Sequence, residues 1–174
     1  MTRTDHAGEW PVEPQQPSRP LTGVQAEPDT TRRKDSTLRY WLGVASKDHV
    51  ALGVAGGFCQ LCHGKKAPLQ RMRRGDHILY YSPKQEFRSR RPCQAITACG
   101  VVTGDEVYQY EMFPGFVPYR RDIEWQTPVR EVPLDVLRTL PGWSEVAPKL
   151  RFGHVELPPE LFQAIQEYML SDGE

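Results

Sequence analysis

The sequence predicts an α+β fold, a small mixed β-barrel flanked by several short helices. Three observations lead there. Five or six short segments are rich in aromatic and β-branched residues, or alternate apolar with polar ones, which is the strand signal. Two hairpin-like turn signals separate strand segments. The helical segments are short and do not alternate regularly with the strands, which argues against a doubly wound parallel sheet. A length of 174 residues suits one domain, or one domain plus a tail. It is long enough for a core that needs no disulfide or metal.

Residues 1–36 hold 5 of the 16 prolines, few apolar residues and no helical or strand period. Such a segment cannot bury enough apolar surface to offset its ordering entropy, so a disordered tail is expected there and the folded domain at 37–171. Residues 38–45 form an aromatic run and hence a first strand. Ser46 is placed to cap a short helix from Lys47, which Gly53, Gly56 and Gly57 are expected to break into a loop. Pro68 suits the first position of a second helix, ended by Gly75. Residues 77–81 read as a buried strand stopped at Ser82-Pro83, and 85–91 as a basic loop. Residues 93–102 read as a long strand that a turn at 103–105 joins, as a hairpin, to 107–112, where Tyr108, Tyr110 and Met112 share a face. Residues 119–125 are a further strand, 134–140 a short helix and 155–157 a short strand. A last helix opens at Pro158-Pro159, with Leu161, Ile165 and Tyr168 at helical spacing.

The formal net charge is zero, from 22 basic and 22 acidic residues. That excludes a uniformly basic nucleic-acid coat and an acidic solubilising protein. The charge is nonetheless polarised: residues 63–91 hold 9 Lys and Arg against 2 acids, whereas 92–174 hold 6 against 13. The basic block contains Lys65, Lys66, Lys84, Arg88, Arg90 and Arg91 and brackets the aromatic pair Tyr80-Tyr81. Cations beside rings suit a phosphate backbone with a base stacked on an aromatic; the plainer reading is a solvated surface. No apolar run reaches the length of about 18 residues that a membrane span needs, and no apolar export signal opens the chain. A cytoplasmic, reducing setting is therefore expected, with Cys59, Cys62, Cys93 and Cys99 as free thiols.

Cys59-Gln60-Leu61-Cys62-His63 matches the c-type haem pattern, but attachment of that kind normally needs an exported chain. Zinc would need Cys93 and Cys99 as a second pair, and along one strand they stand about 20 Å apart. Either Cys59 or Cys62 with His49, His77 or His154 would make a nucleophile and base, yet no nucleophile signature surrounds them. Small buried thiols beside a loop histidine remain the plainer reading. No cofactor or metal is expected. Gly53-Val54-Ala55-Gly56-Gly57 follows neither a dinucleotide nor a phosphate-loop pattern.

Several ordered blocks carry more than any of these motifs. Residues 40–50 and 53–69 run in close succession, followed by Met72, Gly75-Asp76, residues 80–84, 105–109, Pro118-Tyr119-Arg120-Arg121 and Leu150-Arg151-Phe152-Gly153. Together they resemble the EVE domain family across about residues 38–170. The resemblance implies a PUA-like mixed β pseudo-barrel with short flanking helices, related to YTH and ASCH modules. It also implies a non-catalytic module that recognises a modified nucleobase, in DNA, in an aromatic-lined pocket beside a basic surface. The alternatives are a PUA-type module for modified RNA and, from another class, a nucleoside or small-molecule enzyme with a cysteine nucleophile. By position in the family pattern the pocket falls between the first strand, the 57–60 loop with Gly57, and the strand end Tyr81-Ser82-Pro83. Trp41 or Phe58 would stack on the base, Gln60 would bond its edge, and Ser46 and Ser82 would supply hydroxyls. Arg120 and Arg151 would hold a phosphate or a pocket wall. Lys65, Lys66, Lys84, Arg88, Arg90 and Arg91 would meet the nucleic-acid backbone.

Overall fold

The computed structural model describes residues 37–171; the tail expected at 1–36 lies outside the described residues. The first aromatic run becomes β1 (Tyr40–Val44), whose residues 41–43 are all buried. It pairs in parallel with β3 (His77–Lys84) and antiparallel with β8 (His154–Leu157). Next to β3 runs β4 (Pro92–Val102), which pairs with β6 (Tyr119–Trp125) at one end and β7 (Val132–Pro133) at the other. Two short strands, β2 (Phe58–Cys59) and β5 (Tyr108–Gln109), both pair with β6. The order is β2-β6-β4-β3-β1-β8, a mixed, curled sheet that forms a half-barrel. Register shifts between β3 and β4 at Tyr80/Tyr81 and at Ser82/Lys84 mark bulges, which bend a strand and increase its twist.

Several local expectations are corrected. The strand at 77 does not stop at Ser82-Pro83 but continues to Lys84: Pro83 is exposed and sits inside a register shift, where no ladder N–H is needed. Gly53 does not break the first helix, α1 (Lys47–Gly56), which ends only at Gly57 in left-handed conformation, φ 70°. Gly53 is required inside it because a Cβ there would lie 2.6 Å from the Phe58 carbonyl oxygen, so the missing side chain lets α1 press on β2. The segment after the 103–105 turn does not fold back on β4; β5 pairs forward with β6, as Tyr108 to Arg120.

The remaining helices are α2 (Lys66–Arg71), α3 (Leu134–Leu137), α4 (Trp143–Val146), a 3-10 turn at Ala147–Phe152, and α5 (Pro159–Leu170). Pro68 is the third residue of α2 rather than its first. Alternation along β1 and β3 feeds two separate cores, one on each face of the sheet. Leu42, Leu79, Tyr81 and Ile96 pack with Trp143 and with Leu161, Phe162, Ile165 and Met169 of α5. Trp41, Ile78, Tyr80 and Ala98 pack with Val50, Cys59, Leu61, Leu69 and Met72. Among the described residues no helix is long and apolar enough to cross a membrane.

Candidate functional site

The second face carries an unusual amount of buried polar chemistry. Gln60 leaves β2 with 4 % of its surface exposed. Its backbone N–H donates to the Tyr80 hydroxyl at 3.2 Å, and its carbonyl accepts from that hydroxyl at 2.7 Å. Burial pushes the Tyr80 phenol well above its ordinary pKa, so it stays protonated and can donate. The Gln60 side-chain Oε1 accepts from Arg120 Nε at 2.7 Å, which fixes the amide orientation. The amide nitrogen faces the Met112 thioether at 3.4 Å, a weak acceptor.

Topology brings the aromatic partners to Arg120. Because β2 and β5 both pair with β6, Phe58 from β2 and Tyr110, next after β5, reach the same guanidinium. Its carbon lies 3.7 Å from the Phe58 ring centroid and 4.0 Å from that of Tyr110. Buried cation–π contacts are worth about 1–2 kcal/mol each, and an arginine in such a clamp keeps one orientation. Met112, Tyr110 and their hairpin are tied by Tyr110 N–H to the Pro118 carbonyl at 3.1 Å and Met112 N–H to that of Phe116 at 3.0 Å.

The N-terminus of α1 closes the other side. Burial lowers the His49 pKa below its ordinary value; Asp48 opposes the shift and Arg120 adds to it. One turn earlier, Ser46 is 5 % exposed, yet its Oγ neither caps the helix nor finds another partner. Asp48 carboxylate oxygens accept the Phe87 N–H at 3.2 and 3.3 Å, which ties the β3–β4 loop to α1.

Between these parts runs a left-handed turn. Cys62, His63 and Gly64 have φ of 48°, 60° and 81° in succession. Two non-glycine residues in this region cost about 1–3 kcal/mol each. The turn is held from behind: a Cβ at Gly64 would collide with the Pro118 ring, and the Tyr119 N–H donates to the Gly64 carbonyl at 3.0 Å. Its front presents Cys62 Sγ to the Phe152 carbonyl at 3.5 Å and His63 edge-on to Phe87, with ring centroids 6.4 Å apart.

The structure brings Gly57, Phe58, Gln60 and Arg120 together, leaves Ser46 buried and without a partner for its hydroxyl at the start of α1, and separates others. Trp41 is a core residue at 4 % exposure: Asp76 accepts its indole N–H at 3.0 Å, His154 stacks on it at 4.7 Å and Arg39 lies 5.2 Å over it. With its ring engaged on all these sides, it offers no surface for a base. Tyr81 faces the opposite core, tilted against Trp143 at 5.9 Å; its neighbour Tyr80 is the tyrosine that reaches Gln60. Ser82 is wholly buried with its hydroxyl 2.7 Å from that of Thr97, so it is a strand-to-strand link. Phe58 is buried beneath Arg120 and holds the arginine rather than an open face. Pro83 is exposed, and Arg151 lies exposed with its guanidinium 4.8 Å over Phe152. Lys65, Lys66, Arg88, Arg90 and Arg91 are exposed; Arg91 pairs with Glu86 at 3.3 Å, and Lys66 lies 5.6 Å over Tyr119. Lys84 sits 5.1 Å over Phe87 and donates to its carbonyl.

Sequence reasoning did not single out Tyr110, Met112, Phe87 and Phe152 as site residues, and took His49 and His63 only as motif histidines. Alternation at 108–112 did put Tyr110 and Met112 on one face, but the strand that receives them is 10 residues on, beyond local pattern. Among the described residues no three His, Cys, Asp or Glu side chains converge on a point where a metal ion fits. Burial pushes the Cys59 thiol far up and the Cys62 thiol up as well.

Comparison with known proteins agrees with this architecture. A UPF0310 protein of Helicobacter hepaticus is 53 % identical over 135 residues, covering 78 % of this chain and 99 % of its own. One from Streptococcus sanguinis is 49 % identical over 134 residues, covering 77 % and 95 %. Among solved structures, Rpa0253 of Rhodopseudomonas palustris superposes with TM-score 0.52 at 20 % identity over 78 % of this chain and 97 % of that one. The YTH domain of Zygosaccharomyces rouxii MRB1, solved with N6-methyladenosine RNA, gives 0.52 at 12 % identity over 80 % and 89 %. The half-barrel with its short helices is thus PUA-like, and since the EVE domain model matches residues 39–168, the chain belongs to the EVE domain family.

Proposed function

We propose that this protein is a non-catalytic module that binds a modified nucleobase, in DNA, beside a basic surface. One observation carries the reading: two buried polar groups, the Gln60 amide N–H and Ser46 Oγ, have a thioether and nothing as partners. Buried polar groups are normally satisfied, and leaving one without a partner costs about 1–3 kcal/mol. A base edge offers the missing acceptor and donor. The amide is already oriented by Arg120, so binding exchanges a weak N–H···S contact for a strong one. The neutral His49, three residues after Ser46, lets a heterocycle approach the start of α1 without desolvating an additional charge. A catalytic cysteine fits poorly, because both Cys59 and Cys62 are held as thiols at neutral pH.

The family membership supports a base reader, and the cations along 63–91 support a polyanionic partner. A second reading is modified RNA. It is favoured by the YTH domain of similar fold, whose structure holds methylated RNA. The two differ in the 2′-hydroxyl. Titration with matched oligonucleotides, unmodified and base-modified, as DNA and as RNA, at two salt concentrations tests both. Tighter binding of a modified strand is expected, with Gln60→Ala abolishing the preference. Equal binding of all strands, or a preference that survives Gln60→Ala, overturns the base-reading site.

A further inference from the structure

We infer that the molecule has a second nucleic-acid contact, a stacking strip formed by Phe87, His63 and Phe152 that grips unpaired nucleotides flanking the base. The inference rests on the nucleic-acid reading above and deepens it. Phe87 is 51 % exposed and Phe152 60 % exposed, high values for phenylalanine. They stand on either side of the left-handed turn: Phe152 meets Cys62, and Phe87 meets His63. The β1–α1 junction spans the same gap, since Val44 N–H donates to the Gly153 carbonyl at 3.0 Å and Asp48 N–H to that of Gln85 at 3.0 Å. Three rings from three separate chain segments are thus gathered along one edge, beside the β1–α1 junction.

Each of these two phenylalanines carries its own cation. Lys84 Nζ lies 5.1 Å over Phe87, and the Arg151 guanidinium 4.8 Å over Phe152. Lys65 follows the turn, and Arg88 and Arg90 follow Phe87 in the loop, all exposed. Nearby acids are engaged: Asp48 by the Phe87 N–H and Glu86 by Arg91. An exposed apolar edge with cations at each ring is complementary to a chain of alternating bases and phosphates. Stacked bases of a duplex cannot lie on such rings, whereas unpaired ones can, and stacking accepts any base. The occupant is therefore a single strand, and the strip is indifferent to its sequence and to its modification. The strip supplies grip while the Gln60 end supplies choice.

The test uses the full chain and fluorescein-labelled, unmodified oligothymidine of about 15 nucleotides, within the span that single-strand binders occupy. Oligouridine and a duplex of the same length are the comparison arms. Anisotropy titration should show the single strands bound more tightly than the duplex. Phe87→Ala and Phe152→Ala should each weaken single-strand binding by about tenfold, whatever the modification, with unchanged thermal melting since both rings are exposed. Phe87→Trp should restore or exceed the affinity, and its fluorescence should be quenched by the stacked base. Lys84→Gln should lower the slope of log K against log salt by about 0.7. Unchanged affinity in both alanine variants, or a preference for duplex, overturns the strip. If modified and unmodified strands still differ in that case, the Gln60 site stands without it. If the strip variants lose affinity but no modified base is preferred, the base-reading site fails and the strip stands. A wild-type protein that binds none of these oligonucleotides overturns both.

Discussion

The two faces of the sheet are built from adjacent residues of the same strands and are unlike in kind. The face of Leu42, Leu79, Tyr81 and Phe162 is an apolar core closed by α5, with Trp143 and Leu137 filling its edge. The face of Trp41, Tyr80 and Leu61 is laced with buried polar groups: Gln60, Asp76, Arg120, Arg121 and His154. Arg121 shows what a structural member of that set looks like. Its Nη1 donates to the Leu69 and Met72 carbonyls at 3.0 and 2.7 Å and its Nε to that of Gly104 at 3.0 Å, stitching α2 to β6. Arg120 instead holds one amide between two rings. Neighbours on one strand, the two arginines have different partners, so one fastens the fold and the other orients a donor. One face supplies stability, and the other bears strain and incomplete hydrogen bonding, the place where the proposed base would bind.

Four substitutions or conditions test that division. Phe162→Ala on the apolar face should cost about 3–5 kcal/mol, seen as a large fall in melting temperature, with base preference unchanged in the molecules that remain folded. Acid should act through the polar face. Burial holds the His154 pKa down at about 4, with Arg71 adding to the shift. The unfolded histidine takes its proton near pH 6.5 and the folded one near 4, so stability is full above 6.5, falls between 6.5 and 4, and then levels. The total loss is about 3 kcal/mol. Urea melts against pH should show that fall, and His154→Phe should flatten it. Gln60→Leu should cost about 2 kcal/mol, because it strips Arg120 Nε of its acceptor, and should remove base preference in oligonucleotide titrations. Arg39→Gln breaks a half-exposed pair with Glu156 at 3.1 Å and should move denaturant midpoints by less than about 0.5 kcal/mol. A large effect of this last change on base preference would blur the contrast between the faces.

Much of the fold is legible in the chain because it is written locally. β1, β4, β6 and α5 are announced by aromatic runs, alternation and a proline-opened helical stripe, and each forms close to where its pattern lies. α4 and the 3-10 turn after it carry no periodic stripe; Trp143 and Val146 are placed by the sheet they cover. The site is less legible. Gln60, Arg120 and Ser46 follow from the family pattern, but Trp41 and Tyr81 illustrate what such a pattern leaves open. In each, a strand aromatic that the family pattern assigns to the site is turned to a core by a two-residue period whose phase is set across the sheet. The tyrosine one residue earlier takes the role instead.

Consider finally the turn at 62–64. Its backbone is determined from its rear, by a glycine packed on Pro118 and a strand amide on the Gly64 carbonyl, whereas the side chains of 62 and 63 project from its front. Shape and chemistry are therefore separable there. Relatives that keep the glycine and the proline can vary the two preceding side chains without moving the loop, within the residue types a left-handed backbone tolerates. Those positions are where descendants of one scaffold would diverge in what they recognise, and where a designer would begin.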